Sequence, residues 1–462
     1  MPVRCPQQGS WWKLLDRYQK EVFLLASLAW LFDCLGQQVF VIARNPALSS
    51  LAPPTMPPEK LQHWVQHWGQ YMTSIFVVGW ATGGLIFGAM GDRIGRARTM
   101  AITVLLYGLC TGLSGLSTGL VDFGVYRFVA GLGVGGVFGL AVALCADALP
   151  DQARTPALGL LQALSSVGNI IAGMGAVLLG YRQFLHPQSA PAWKILFFLG
   201  ALPPLICVFL QFKLKEPEKW VTARFEGRAT GARFGSYASL FGEARWRKPA
   251  LFGMLLCVAG VVGLWGIGFF SPELVNYIIR NALAARNVPA AQIPGKTLMW
   301  VGLAMIVQNS GSFLGMLAFT RLARDYGRKK IFALSALCAF GSTVVAFKFL
   351  TQPWQIFVLC PVMGFFQLAL FAGFAIYLPE LFPLRLRSTG TGFCYNVGRF
   401  VAASGPFTLA ILQEHLSAGA QSAAAKMEAF RDACCWVSLI YLLALLALPF
   451  LPETKGKPLP EG

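Results

Sequence analysis

Three charged side chains stand inside apolar stretches: Asp33, Arg127 and Arg399. A charge at the centre of a membrane-spanning helix costs about 2.5–3.5 kcal/mol even on permissive insertion scales. Each therefore needs water or a partner and should border a central cavity. Asp33 lies in a stripe with Trp30, Gln37 and Phe40 at helical spacing, which puts its carboxyl and the Gln37 amide on one face. A carboxyl so placed can load and release a proton, because a nearby cation favours its charged form and desolvation its neutral form. Around Arg399, the residues Gly392, Tyr395 and Asn396 set a phenol, an amide and a guanidinium near one helix face. An arginine facing a cavity without an acid partner is a clamp for a carboxylate or phosphate. Its alternative role is to hydrogen-bond carbonyls at a helix break.

Softer candidates share these stretches. Gln162, Ser166 and Asn169 follow helical spacing, as do Gln308, Asn309 and Ser312, and Gln367 stands alone. Each is a substrate contact or interhelical glue. Trp30, Phe40, Trp265 and Phe269 are the aromatic cavity candidates. The four histidines, His63, His67, His186 and His415, fall in loops without metal-ligand spacing, so no metal or other cofactor is expected.

The elements that must hold these residues follow from composition. Of 462 residues, 56 % are hydrophobic and 13 % charged, about half the charge of a soluble domain. Mean hydropathy is +0.58. This excludes a disordered chain, a disulfide scaffold and an ordinary cytosolic enzyme. The net charge of +18 does not indicate nucleic acid, because the Lys and Arg flank apolar runs and form no basic domain. The 11 cysteines include no CxxC pair and read as small core residues. The Trp11-Trp12-Lys13 segment, with Arg17 and Lys20, reads as an interfacial lead-in without a signal-peptide cleavage site.

Twelve stretches approach the roughly 20 residues that span a bilayer: 22–43, 69–90, 99–117, 123–146, 156–180, 193–212, 249–270, 298–320, 331–350, 354–378, 389–411 and 432–451. An all-α membrane protein is therefore expected, with both termini on one side. Segments on that side hold 26 Lys and Arg against 10 on the other, which makes the termini cytoplasmic in a cell membrane. The longest hydrophilic interruption, 213–248, separates an N-terminal bundle (1–212) from a C-terminal bundle with its tail (249–462).

The halves repeat at an offset of about 233 residues. Gly91-Asp92-Arg93-Ile-Gly95-Arg96 after span 2 corresponds to Arg324-Asp325-Tyr326-Gly327-Arg328 after span 8. Asp147 precedes Arg154 by seven residues, Glu380 precedes Arg387 by seven, and both acids lie 55 residues after their aspartates. The pattern resembles the major facilitator superfamily over essentially the whole chain. The resemblance implies two pseudo-symmetric six-helix bundles and alternating access around a mid-membrane site. Its loops are then a cytoplasmic gate of Gly91, Asp92, Arg93, Gly95, Arg96, Asp147, Arg154, Asp325, Gly327, Arg328, Glu380 and Arg387. Exposed pairs of this kind contribute about 0–1 kcal/mol each, so a network biases a two-state equilibrium without locking it.

The acid-x6-Arg loops, Glu216-Pro-Glu-Lys219-Trp220 and the tail Pro452-Glu-Thr-Lys-Gly456 resemble the sugar-porter branch. In that branch a span 1 aspartate and a span 4 arginine couple protons, which implies the pair Asp33 and Arg127. The span 7 positions that hold sugar hydroxyls read Ala259, Gly260 and Trp265 here, a poor hydrogen-bonding set. Tyr395-Asn396-x-x-Arg399 with Asp33 also resembles the aromatic-acid and metabolite proton symporters, which carry organic anions. The sequence thus predicts a monomeric, proton-coupled symporter of a small organic anion, embedded in lipid. Trp30, Gln37, Asn169, Trp265, Gln308, Tyr395, Asn396 and Arg399 are its expected substrate contacts. Position 166, one repeat before Arg399, is serine, so the framework does not explain that arginine. The alternatives are a sugar or polyol transporter and a non-transporting membrane sensor; no nucleophile-base arrangement suggests an enzyme.

Overall fold

The computed structural model describes residues 11–185, 193–211, 214–230, 233–266, 271–416 and 422–461, and among them there is no strand. One bundle contains α1 (Arg17–Leu51), α2 (Pro58–Ile94), α3 (Arg96–Ser114), α4 (Leu120–Ala148), α5 (Asp151–Leu185) and α6 (Trp193–Gln211). Two helices, α7 (Glu218–Thr230) and α8 (Tyr237–Gly242), lie in the central hydrophilic segment. The other bundle contains α9 (Ala244–Gly266), α10 (Ser271–Ala285), α11 (Ile293–Tyr326), α12 (Arg328–Phe349) and α13 (Ile356–Glu380). It continues with α14 (Arg387–Ala403), α15 (Gly405–Leu416), α16 (Ala423–Ser438) and α17 (Leu443–Ala447).

Among the described residues ten helices are long and apolar enough to cross a membrane, and Trp193–Phe209 is a shorter apolar one. The twelfth crossing is the pair α14 and α15. The expected continuous span 389–411 is broken at Ser404, in front of Gly405-Pro406, because a proline has no N–H to continue the ladder. The result is an all-α, multi-pass membrane protein of two six-helix bundles.

Helix starts explain two of the repeated glycines. α3 begins after Gly95 (φ 121°) and α12 after Gly327 (φ 96°), backbone angles that L side chains rarely adopt. The sharp turn aims each new helix N-terminus at a carboxylate from elsewhere in the chain. At α1 the cap is local: Asp16 accepts from the Gln19 N–H at 2.7 Å, and the Gln19 side chain accepts in return at 3.2 Å.

Two long seams join the bundles, α5 with α11 and α2 with α14. Small residues permit the approach. A Cβ at Gly180 would lie 2.7 Å from the Gly295 carbonyl oxygen, and one at Gly392 would lie 2.7 Å from that of Gly84. Residues near both chain ends gather at one end of the bundles, where Tyr18 donates to the Lys215 carbonyl (2.9 Å) and Arg387 approaches that of Pro460 (3.4 Å). We term this end the terminal face.

Candidate functional site

The centre is built from α1, α2, α4, α9 and α14. Asp33 is fully buried; one carboxylate oxygen, Oδ2, accepts from Gln37 Nε2 at 2.9 Å, and Oδ1 has no partner. Arg399 is 1 % exposed. Its Nη1 donates to the Tyr395 carbonyl (2.6 Å) and to Asn396 Oδ1 (3.1 Å), both on its own helix. Its Nε and Nη2 have no partner. Those two nitrogens form one edge of the guanidinium, the fork that receives a carboxylate through two parallel hydrogen bonds.

Two aromatic rings pack against this guanidinium. Its central carbon lies 4.0 Å from the Trp80 ring centroid and 4.3 Å from that of Tyr395. Tyr395 stacks on Phe138 at 3.7 Å, Phe138 packs on Trp30 at 5.2 Å, and Trp80 meets Trp265 edge-on at 4.9 Å. The ladder Trp265–Trp80–Arg399–Tyr395–Phe138–Trp30 therefore passes repeatedly between the bundles. Trp80 and Phe138 are absent from the sequence-derived set. Their signal is weak, since each sits in an apolar, glycine-rich helix that could equally be core. Tyr107 on α3 is also missing from that set; its hydroxyl is buried without a partner and lies within the electrostatic reach of Asp33.

The expected pair of Asp33 and Arg127 is not formed. Arg127 donates from Nε and Nη2 to Ser114 Oγ (2.9 and 2.6 Å) and from Nη2 to the Cys110 carbonyl (3.1 Å). Phe40 and Phe197 pack on it at 5.4 and 5.0 Å. The physical reason is the end of α3 at Ser114, whose hydroxyl and negative dipole end hold a cation without an acid. Among the described residues Asp33 keeps only the Gln37 amide as its hydrogen-bond partner.

Other candidates separate in the same way. Asn169 donates to Asn309 Oδ1 at 2.9 Å across the α5–α11 seam, so this pair is interhelical glue. Asn396 donates to the Gly392 carbonyl at 2.9 Å, faces Gly84 of α2, and orients Arg399 from behind. Gln308 accepts from Ser271 Oγ at 3.3 Å. Gln367 donates to Thr343 inside the second bundle at 2.8 Å. Gln162 Oε1 and Ser166 Oγ are buried without partners. Phe269 lies outside the described residues.

At the terminal face the gate residues form a buried network. Asp147 pairs with Arg96 of its own bundle and with Arg387 of the other. Asp92 pairs with Arg96 at 3.0 Å. Its carboxylate also caps α14 across the boundary, accepting from the N–H groups of Ser388 (3.2 Å) and Thr389 (2.8 Å) and from Thr389 Oγ1 (2.7 Å). Gly91, against Leu140 and Ser388, lets α2 approach closely enough for this. Arg93 donates to the Gly235 carbonyl at 3.1 Å, tying in the central segment.

In the second bundle Arg328 pairs with Glu380 (2.8 Å) and reaches Thr155 of the first bundle at 3.1 Å. Arg154 turns to exposed Asp151 rather than to Glu380. Asp325 is likewise outside the buried network. It is solvated and pairs with its neighbour Arg324 at 3.2 Å; Arg324, not Asp325, stands three residues before the turn glycine, where the first loop has Asp92.

Two carboxylates missing from the sequence-derived set complete the face. Glu216 accepts from the N–H groups of Arg96, Ala97 and Arg98 at the start of α3 (2.8, 3.2 and 3.0 Å). Glu453 does the same for Arg328 and Lys329 at the start of α12 (3.0 and 3.1 Å). Burial pushes the Glu453 carboxyl up, but the backbone N–H groups of Arg328, Lys455, Lys329 and Thr454 outweigh it and hold the group below the usual glutamate range.

Comparison with known proteins matches the Major Facilitator Superfamily profile to residues 39–279 and the Sugar (and other) transporter profile to residues 293–461. A probable 4-methylmuconolactone transporter of Cupriavidus pinatubonensis is 27 % identical over 97 % of this chain and 94 % of its own. A cis,cis-muconate transport protein of Acinetobacter baylyi is 29 % identical over 75 % of this chain and 78 % of its own. Among solved structures, a proton:xylose symporter superposes with a TM-score of 0.70, at 17 % identity, over 96 % of this chain and 98 % of that one. A human organic anion transporter gives a TM-score of 0.65 at 15 % identity, over 93 % and 99 %.

Proposed function

The chain belongs to the major facilitator superfamily, and from that premise we propose that it is a proton-coupled symporter of a small organic anion. The observation that carries this reading is the free Nε–Nη2 edge of buried Arg399, with a second buried and half-satisfied group, the Asp33 carboxylate, on α1. A buried guanidinium with two unmet donors is costly when empty and is relieved by a substrate carboxylate. Asp33 carries the proton, and Arg399 sets its charge state. An arriving anion competes for the Arg399 field, which raises the proton affinity of Asp33 and couples the two loads. Trp30, Tyr395 and Trp265 supply apolar walls, and Gln37 holds the proton carrier. The relatives named for muconate and 4-methylmuconolactone support a carboxylate or lactone cargo.

In this reading the bundles rock about the centre, with residues 1–212 and 249–462 as the moving bodies and 213–248 as the cytoplasmic link. The terminal face is cytoplasmic, on the charge asymmetry of the loops, and the protein works as a single chain in a cell membrane. Cotransport of at least one proton lessens the cost of moving a negative charge inward against the membrane potential.

The test is transport by reconstituted protein under an imposed proton gradient, with benzoate, muconate, nicotinate, xylose and a polyol. Carboxylate-dependent proton flux that disappears in Arg399→Gln is expected. Sugar-dependent flux that survives in Arg399→Gln would overturn the reading in favour of a sugar porter. Absence of transport with retained carboxylate binding would favour a sensor.

A further inference from the structure

Trp80 has no place in the mechanism so far, yet its contacts are unusual for a core residue. It is 2 % exposed, its indole N–H has no partner, and its face lies 4.0 Å from the Arg399 guanidinium. It belongs to α2, in the first bundle, whereas Arg399 belongs to α14, in the second. Arg399 is fixed at one corner by its own helix, through Nη1. The tilt of its plane is then set by the rings packed against it. Tyr395, one turn earlier on the same helix, covers one ring contact, and Trp80 supplies the other.

We propose that Trp80 is the positioning residue for the Arg399 clamp, and that this contact between bundles makes anion affinity depend on how the bundles sit. The inference rests on the carboxylate reading of Arg399. With the terminal face closed, Trp80 holds the guanidinium plane so that the Nε–Nη2 edge stays presented. Rocking of the bundles moves the ring relative to the guanidinium, because the two are on different bodies. The edge is then free to turn toward backbone carbonyls, and the anion is released. Tight binding on one side and weak binding on the other thus follow from a single stacked contact.

A buried cation–π contact contributes enough to change affinity about 3- to 30-fold. The test uses full-length protein with benzoate and muconate, comparing wild type with Trp80→Phe, Trp80→Met and Arg399→Gln. Half-saturation and maximal rate are measured from each side of vesicles of known orientation. The expected result for Trp80→Met is a half-saturation raised about 3- to 30-fold on the side opposite the terminal face. The terminal-face value and the maximal rate stay near wild type, and Trp80→Phe restores affinity. An equal loss of maximal rate on both sides, or an unchanged half-saturation in Trp80→Met, would show Trp80 to be packing only and overturn the proposal. Should Trp80→Met not fold, Trp80→Phe and Trp80→Tyr still decide it: both must keep the difference between sides. If Arg399→Gln leaves carboxylate affinity intact, the underlying clamp reading fails instead, and the two failures are distinguishable.

Discussion

Arg387 of the second bundle and Asp147 of the first form an ion pair in which both side chains are almost wholly buried. Asp147 also meets Arg96 of its own bundle, so a single carboxylate joins two cations from either side of the moving boundary. The corresponding acid, Glu380, has its ion-pair arginine within its own bundle, and that arginine, Arg328, reaches across through a hydrogen bond to Thr155. The latch is therefore uneven.

Asp147→Asn should open it. Removing one member of a buried pair costs about 3–5 kcal/mol, and the part that comes from Arg387 falls on the closed state alone. Alkylation of a cysteine placed at Ser388, fully buried in the closed face, should accelerate by roughly a hundredfold or more, on the order that such a free-energy change implies. Glu380→Gln should accelerate it far less. Equal effects from the two substitutions would contradict the unevenness.

Arg127→Gln should cost stability and leave coupling intact. The cation lies on Ser114 and the Cys110 carbonyl, and stranding such groups costs about 1–3 kcal/mol. A lower thermal midpoint with an unchanged proton-to-substrate ratio is expected. A variant that folds normally but loses proton coupling would reinstate Arg127 as the partner of Asp33.

Asp33→Asn should separate exchange from accumulation. An amide keeps the size and the Gln37 neighbour but cannot cycle a proton. Substrate counterflow should persist while uphill uptake driven by a proton gradient disappears. Proton-driven accumulation in this variant would place the carrier elsewhere.

Glu453 should make the terminal face acid-sensitive. Its folded-state carboxyl titrates below the ordinary 4.5, so its contribution is fully present above that value and is lost as pH falls through the lowered one. Glu453→Gln should flatten the acid limb of a stability profile below about pH 4.5. Gly327→Ala should be destabilised at every pH. Its φ of 96° disfavours any L side chain, and a Cβ would lie 2.8 Å from Glu453 Oε2. A Gly327→Ala protein as stable as wild type would remove the role given to that turn.

Local chemistry accounts for what was readable before folding. Burial of charge is so costly in an apolar stretch that Asp33, Arg127 and Arg399 announce themselves by type and position. Spans follow from length and hydropathy, and the gate loops follow from acids and arginines repeated at equal spacing. Glu216 and Glu453 were legible as parts of two family-like segments, but their capping role was not, because a cap supplied from more than a hundred residues away has no local signature.

The amino-acid order alone thus determined the twelve crossings, the repeated acid–arginine loops and the presence of three buried charges. Tertiary structure decided which of those charges meet. Asp33 and Arg127 do not meet, because Ser114 and the Cys110 carbonyl at the end of α3 already hold Arg127. Asn169 became glue because α11 brought Asn309 to it, and Trp80 became part of the site because α2 and α14 cross at Gly84 and Asn396. A side chain's periodicity along one helix gives the face it occupies. What stands opposite that face depends on contacts between residues hundreds of positions apart, and no local pattern encodes them.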